Sequence, residues 1–123
     1  MHKTAFAFAA ALATISMLAK ADAASCRFLP FRLFIAADAL TSINVESGKD
    51  CLVSIPSGGS FMLASNEITA RPEHGGAKPN GVAGAFYRSN PGYRGKDAFA
   101  FTLCGSDNGK PGCATVRVRV YVR

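Results

Sequence analysis

Four cysteines, two histidines and a run of alternating arginines are the residues of this chain whose types and spacing could do chemistry. The cysteines stand at Cys26, Cys51, Cys104 and Cys113. Zinc sites draw on close pairs such as C-x₂-C, and no such pair is present. An even number of widely spaced cysteines instead predicts two disulfides formed in an oxidising compartment. His2 is the second residue, so His74 is the only histidine in the body of the chain. A catalytic histidine needs an oriented partner, and no nucleophile motif, phosphate loop or carboxylate pair lies near His74 in sequence. His74 is expected to be a turn residue bonded to its own loop, and no catalytic residue is assigned. Asp38, Glu46, Asp50, Glu67, Glu73, Asp97 and Asp107 are scattered singly. Calcium needs clustered oxygen ligands, so neither a metal site nor a cofactor is expected.

The arginines are the sharpest feature. Arg117, Arg119 and Arg123 share odd numbering with Tyr121. On a strand they would line one face, where three guanidiniums and a ring can bind phosphate or sulfate groups. The plainer reading is a solvated outer face that discourages edge-to-edge aggregation. Arg88 and Arg94 can add to such a patch, but spacing alone does not place them on the same side.

These residues need strands to position them. In Thr115–Arg123 each even position is valine, which predicts a strand with Val116, Val118, Val120 and Val122 facing a core. Asp97–Leu103 alternates too, with Phe99, Phe101 and Leu103 on one face. Between the two lies Gly105–Gly112, a turn-rich loop suited to a hairpin. Cys104 and Cys113 stand at its ends, where paired strands bring Cα atoms ~5 Å apart, within disulfide range. That pairing leaves Cys26 with Cys51. The rival pin, Cys51 with Cys104, would need an inward-facing Cys104, against the alternation, and the Trp that packs on such a pin is absent.

Further strands are expected at Ser42–Val45, Cys51–Ile55, Phe61–Ala70 (centred on Asn66–Ala70) and Ala83–Arg88. Phe31–Leu40 fits a helix after Pro30 or a strand with a loop, and both stay open. Glycine, proline and asparagine recur at strand-and-turn spacing, and no segment sustains a helical apolar period. The fold class is therefore all-β, a two-sheet sandwich of about seven antiparallel strands.

The N-terminus has its own logic. Met1-His2-Lys3 is a short positive region, Ala5–Leu18 is apolar apart from Thr14 and Ser16, and Ala21-Asp22-Ala23 forms an A-x-A cleavage site. This layout predicts a signal peptide over residues 1–23 and a single mature domain over 24–123. The apolar run is too short for a comfortable span, which takes ~20 residues. Ala23-Ala24-Ser25-Cys26 also has a weak likeness to a lipoprotein cleavage box. The first 23 residues hold two of the fourteen Lys/Arg and one of the eight Asp/Glu, leaving twelve against seven. A moderately basic exported domain can meet acidic surfaces, lipopolysaccharide among them.

One long pattern is specific for a fold. Arg71-Pro72-Glu73-His74-Gly75 is followed by Tyr87, then by Asn90-Pro91-Gly92-Tyr93-Arg94-Gly95-Lys96-Asp97-Ala98-Phe99-Ala100-Phe101, and the chain closes on the Thr-Val-Arg-Val-Arg-Val strand. This resembles the bacterial immunoglobulin-like, cadherin-like domains whose pattern runs P-x-H-G, Y-x-P, G-Y-x-G-x-D-x-F-x-Y and T-V-x-V-x-V. The likeness covers Ile68–Val122. It departs in two places: the proline after Tyr87 comes late, at Pro91, and Phe101 replaces the last tyrosine. The resemblance implies an immunoglobulin-like β-sandwich. It makes Pro72, His74, Gly75, Gly92, Tyr93, Gly95, Asp97 and Phe99 structural motif residues. Gly75 and Gly76 would take positive φ in a tight turn, Tyr93 would fold over the end of the sandwich between Gly92 and Gly95, and Asp97 would accept N–H bonds from the Gly92–Gly95 loop.

The family usually occurs as tandem repeats in large surface proteins, and a single copy speaks against a stalk role. The functional expectation is an exported, non-enzymatic module, periplasmic or secreted, that works by binding or structural association. Its partner would be an envelope protein or an acidic glycan such as lipopolysaccharide, without specific nucleic-acid recognition and without spanning the membrane. The alternative is a polyanion binder acting through the basic face of the last strand.

Overall fold

The computed structural model describes residues 26–28, 34, 37–55, 61–82 and 84–123. The signal peptide expected over residues 1–23, half of Phe31–Leu40 and Ala83 lie outside the described residues. Eight strands are described: β1 (Cys26–Phe28), β2 (Ala39–Val45), β3 (Asp50–Ser54), β4 (Phe61–Ala70), β5 (Gly75–Pro79), β6 (Gly84–Ser89), β7 (Gly95–Asp107) and β8 (Lys110–Val122). They form a five-stranded sheet in the order β1-β2-β8-β7-β4 and a three-stranded sheet in the order β3-β6-β5. The described residues are all-β in two sheets, as a sandwich requires. No helix among the described residues is long and apolar enough to cross a membrane.

The core follows from alternation. Ile43, Val45, Val53, Tyr87, Phe99, Phe101 and Leu103 are buried together with Val116, Val118, Val120 and Val122. Each fully buried side chain of this size contributes roughly 1.5–3 kcal/mol. Tyr87 and Phe99 stack at 5.6 Å across the sheets, and Phe99 and Phe101 follow at 6.3 Å along β7.

Three expectations are corrected. The strands are not all antiparallel, because β2 runs parallel to β8, from Ala39 opposite Val116 to Val45 opposite Val122. The ladder continues past the strands: Arg123 N donates to Val45 O at 3.0 Å, and Ser47 N donates to Arg123 O at 2.9 Å. Such a pair needs a long crossover, here supplied by everything between β2 and β8. The Gly105–Gly112 loop is mostly strand. Only Asn108-Gly109 turns, with φ of 49° and 80°, the two-residue geometry whose twist matches a hairpin. Neither Gly75 nor Gly76 has positive φ. Both lie in β5, an edge strand, and a Cβ on Gly75 would overlap the backbone of Arg88 and Ser89. A close approach, rather than a turn, therefore requires that glycine.

The disulfides join Cys26 to Cys51 and Cys104 to Cys113. The first links β1 of the larger sheet to β3 of the smaller one, and Cys51 is buried. The second bridges directly opposed residues of the β7–β8 hairpin, with Cα atoms 4.0 Å apart. Two bridges fit an oxidising environment.

Candidate functional site

The motif residues gather at one end of the sandwich, around Asp97. Tyr87 hydroxyl donates to Asp97 Oδ2 at 2.8 Å, His74 N donates to the same oxygen at 3.2 Å, and Glu73 N donates to Oδ1 at 3.1 Å. The carboxylate thus binds the turn before β5 rather than the Gly92–Gly95 loop. The turn at the end of β4 comes down beside β7 and offers two free N–H groups there. Burial, reinforced by the Asp97 carboxylate, pushes the Tyr87 phenol far above its ordinary range. Tyr87 therefore stays a neutral donor.

His74 and Tyr93 stack at 4.1 Å with rings nearly parallel. Tyr93 hydroxyl donates to Lys96 O, and the ring lies so close that a Cβ on Gly95 (φ 139°) would sit 3.0 Å from its oxygen. His74 O accepts from Asn90 N at 2.8 Å, which ties the two turns together. His74 Nε2 lies 3.9 Å from Glu73 Oε2, on the half-exposed rim of this end. Its ring is held by stacking and its backbone by hydrogen bonds. Pro72 lies within the same turn, and the buried Phe99 stacks on Tyr87. Among the described residues, no three His, Cys, Asp or Glu side chains gather as a metal-holding group.

The arginine stripe lies on the outer face of the larger sheet. Arg117, Arg119 and Tyr121 are exposed between the buried valines of β8, and the exposed Arg123 follows. Side chains of directly paired residues share a face, so the register says what surrounds them. Tyr121 is opposite Lys96 on one side and Asn44 on the other, and Asn44 is opposite Arg27. Arg119 is flanked by Ala98 and Ser42, and Arg117 by Ala100 and Leu40. Four cations thus share one face with Tyr121 at its centre. Strands ~4.8 Å apart and alternate residues ~6.8 Å apart set their spacing. The small neighbours leave both sides of Arg119 open. Two acids answer the stripe: Arg117 Nε lies 3.3 Å from Asp38 Oδ2, an exposed pair worth ~0–1 kcal/mol, and the continued ladder sets the exposed Glu46 opposite Arg123.

Arg88 does not join this face. It lies on β6 of the smaller sheet and forks onto Asp50 at 2.7 and 2.8 Å. Arg94 is exposed in the turn before β7. Sequence reasoning missed Lys96 and Arg27. Lys96 was within reach: pairing Cys104 with Cys113 fixes the hairpin register, and counting back from it puts Lys96 opposite Tyr121. Arg27 had no such signal, because it depends on the parallel β2–β8 pair.

No protein-family model matches the chain, and no curated protein shows significant similarity to it.

Proposed function

We propose that this chain is an exported, non-enzymatic immunoglobulin-like module of the cell envelope or extracellular space. We propose further that it acts by binding acidic glycans, lipopolysaccharide among them, through the basic face of its larger sheet. The strand order supports the immunoglobulin-like part. With β3 to β8 taken as strands B to G, the sheets are B-E-D and G-F-C, the arrangement of that fold. The likeness of residues 68–122 to the cadherin-like pattern points the same way. Export is supported by the tripartite N-terminus and by the two disulfides.

One observation carries the binding part: the register that sets Lys96 and Arg27 on the same face as Arg117 and Arg119, around an exposed tyrosine. A merely solvated face would intersperse both signs evenly, whereas among the described residues around the stripe the cations outnumber the two acids, Asp38 and Glu46.

The test is equilibrium binding of a heparin oligosaccharide, as a soluble polyanion, at low and high salt. The wild-type chain is expected to bind at low salt and to weaken steeply as salt rises. Arg117→Glu/Arg119→Glu is expected to lose binding while melting like wild type. Unchanged binding in that double variant would refute the proposed face.

A further inference from the structure

The smaller sheet has an outer face of different character. A groove of about 540 Å³ crosses it, lined by Asp50, Gly76, Lys78, Phe86, Arg88 and Asn90 among others. That is within the ~300–1,000 Å³ usual for small-molecule sites. Cross-strand register builds it in two rows. Gly76, Arg88 and Asp50 form one row across β5, β6 and β3, and Lys78 and Phe86 form the next.

The first row is a polar fork beside a notch. Arg88 Nε and Nη2 donate to the two Asp50 oxygens at 2.7 and 2.8 Å, and both side chains are more than half exposed. That hydrogen bond holds the Asp50 carboxyl below its ordinary range, so the pair is fully charged. A guanidinium has five N–H donors and a carboxylate about four acceptor sites, so both keep unspent capacity facing the groove. Side-by-side donors and acceptors suit neighbouring hydroxyl groups, each of which donates once and accepts twice. Gly76 supplies the space. A Cβ there would meet nothing within 4 Å, so neither packing nor a positive φ requires glycine.

The second row adds a ring and a net charge. Lys78 Nζ lies 5.7 Å from the centre of the Phe86 ring. Lys78 makes no ion pair among the described residues. With Arg88 balanced by Asp50, the groove carries one positive charge in excess.

We propose that this groove binds a single acidic sugar unit, a pyranose carrying one carboxylate. Its hydroxyls meet the Asp50–Arg88 fork, its C–H face lies on Phe86, its carboxylate meets Lys78, and its ring occupies the space over Gly76. The site is on the opposite side of the sandwich from the arginine stripe and does not depend on it.

The experiment is a titration of the isotope-labelled mature chain with galacturonate, galactose and acetate, followed by amide NMR shifts. Galacturonate is expected to shift Gly76, Lys78, Phe86 and Arg88 saturably, with millimolar affinity, and the other two probes to bind at least about tenfold more weakly. Gly76→Val fills the notch with a residue that strands favour, and Lys78→Glu reverses the excess charge. Each is expected to weaken galacturonate about tenfold or more while keeping the wild-type spectrum elsewhere, and Arg117→Glu/Arg119→Glu to leave it unchanged. The proposal is overturned if galacturonate gives no saturable shift in the groove, or if acetate or galactose matches it. It is equally overturned if Gly76→Val binds like wild type.

Discussion

Tyr87 on β6 donates its hydroxyl hydrogen bond to Asp97 on β7, at 2.8 Å, across the gap between the two sheets. The same carboxylate takes the N–H groups of Glu73 and His74, so one side chain holds a sheet, its partner and the turn before β5. Tyr87→Phe keeps the ring and removes one bond to a charged acceptor, for an expected loss of about 1.5–3 kcal/mol. Asp97→Ala strips these three donors and the Ala98 N–H, which also donates to Asp97 Oδ1 at 2.9 Å, and is expected to cost more. Denaturant melts of the two variants check the order. A Tyr87→Phe loss that exceeded that of Asp97→Ala would contradict it.

The same pair predicts an alkaline limit. The Tyr87 phenol ionises far above its ordinary range when folded, because of burial and the adjacent carboxylate, but near ~10 when unfolded. The stability it contributes is therefore complete below pH ~10 and falls above it, by about 1.4 kcal/mol per pH unit, as the unfolded chain releases a proton that the folded one keeps. Melts of wild type and Tyr87→Phe between neutral and strongly alkaline pH should converge. Parallel profiles would refute the assignment.

The last strand makes the sharpest contrast between neighbours. Val118 is buried and Arg119 is exposed. Val118→Asp puts a charge into the core at a cost of several kcal/mol, enough to unfold a domain with a margin of ~5–15 kcal/mol or leave it barely folded. Arg119→Ser is expected to change stability by less than ~0.5 kcal/mol. Circular dichroism melts separate the two, and a Val118→Asp chain melting like wild type would reverse the faces of β8.

The two disulfides are expected to differ in weight. Cys26–Cys51 closes a separation of 25 residues and joins the sheets, whereas Cys104–Cys113 closes 9 within one hairpin. Loop-closure entropy alone gives about 3.5 and about 2.7 kcal/mol. Cys26→Ala/Cys51→Ala should melt lower than Cys104→Ala/Cys113→Ala, all the more because Cys51 is buried. The opposite order would show that the hairpin bridge carries the fold.

What could be read from the sequence was whatever repeats locally. The valines of β8 and the phenylalanines of β7 alternate in plain sight, and their outward neighbours fixed which cysteines could meet across the hairpin. What escaped depends on partners far along the chain. β5 reads Gly-Gly-Ala-Lys-Pro, with little strand propensity, and is a strand because β6 offers it a ladder. β1 has three residues and is secured by β2 and the Cys26 bridge. The parallel β2–β8 pair leaves no local mark, so Arg27 could not be joined to the arginine stripe. Asp97 was read as serving its own loop because nearby donors are the only ones spacing reveals, whereas, apart from the adjacent Ala98 N–H, its donors lie on the turn before β5 and on β6. Arg88 looked like one more cation until Asp50 proved to face it from β3.

Export is the premise on which every binding proposal here depends, and intact mass of the protein recovered from its native cells, before and after reduction, tests it most directly. The expected result is a chain beginning near Ala24 whose mass rises by about 4 Da on reduction, two hydrogens for each disulfide. An uncut chain with free thiols would contradict the account, because it would place the protein in a reducing compartment, away from the envelope glycans its basic face is proposed to meet.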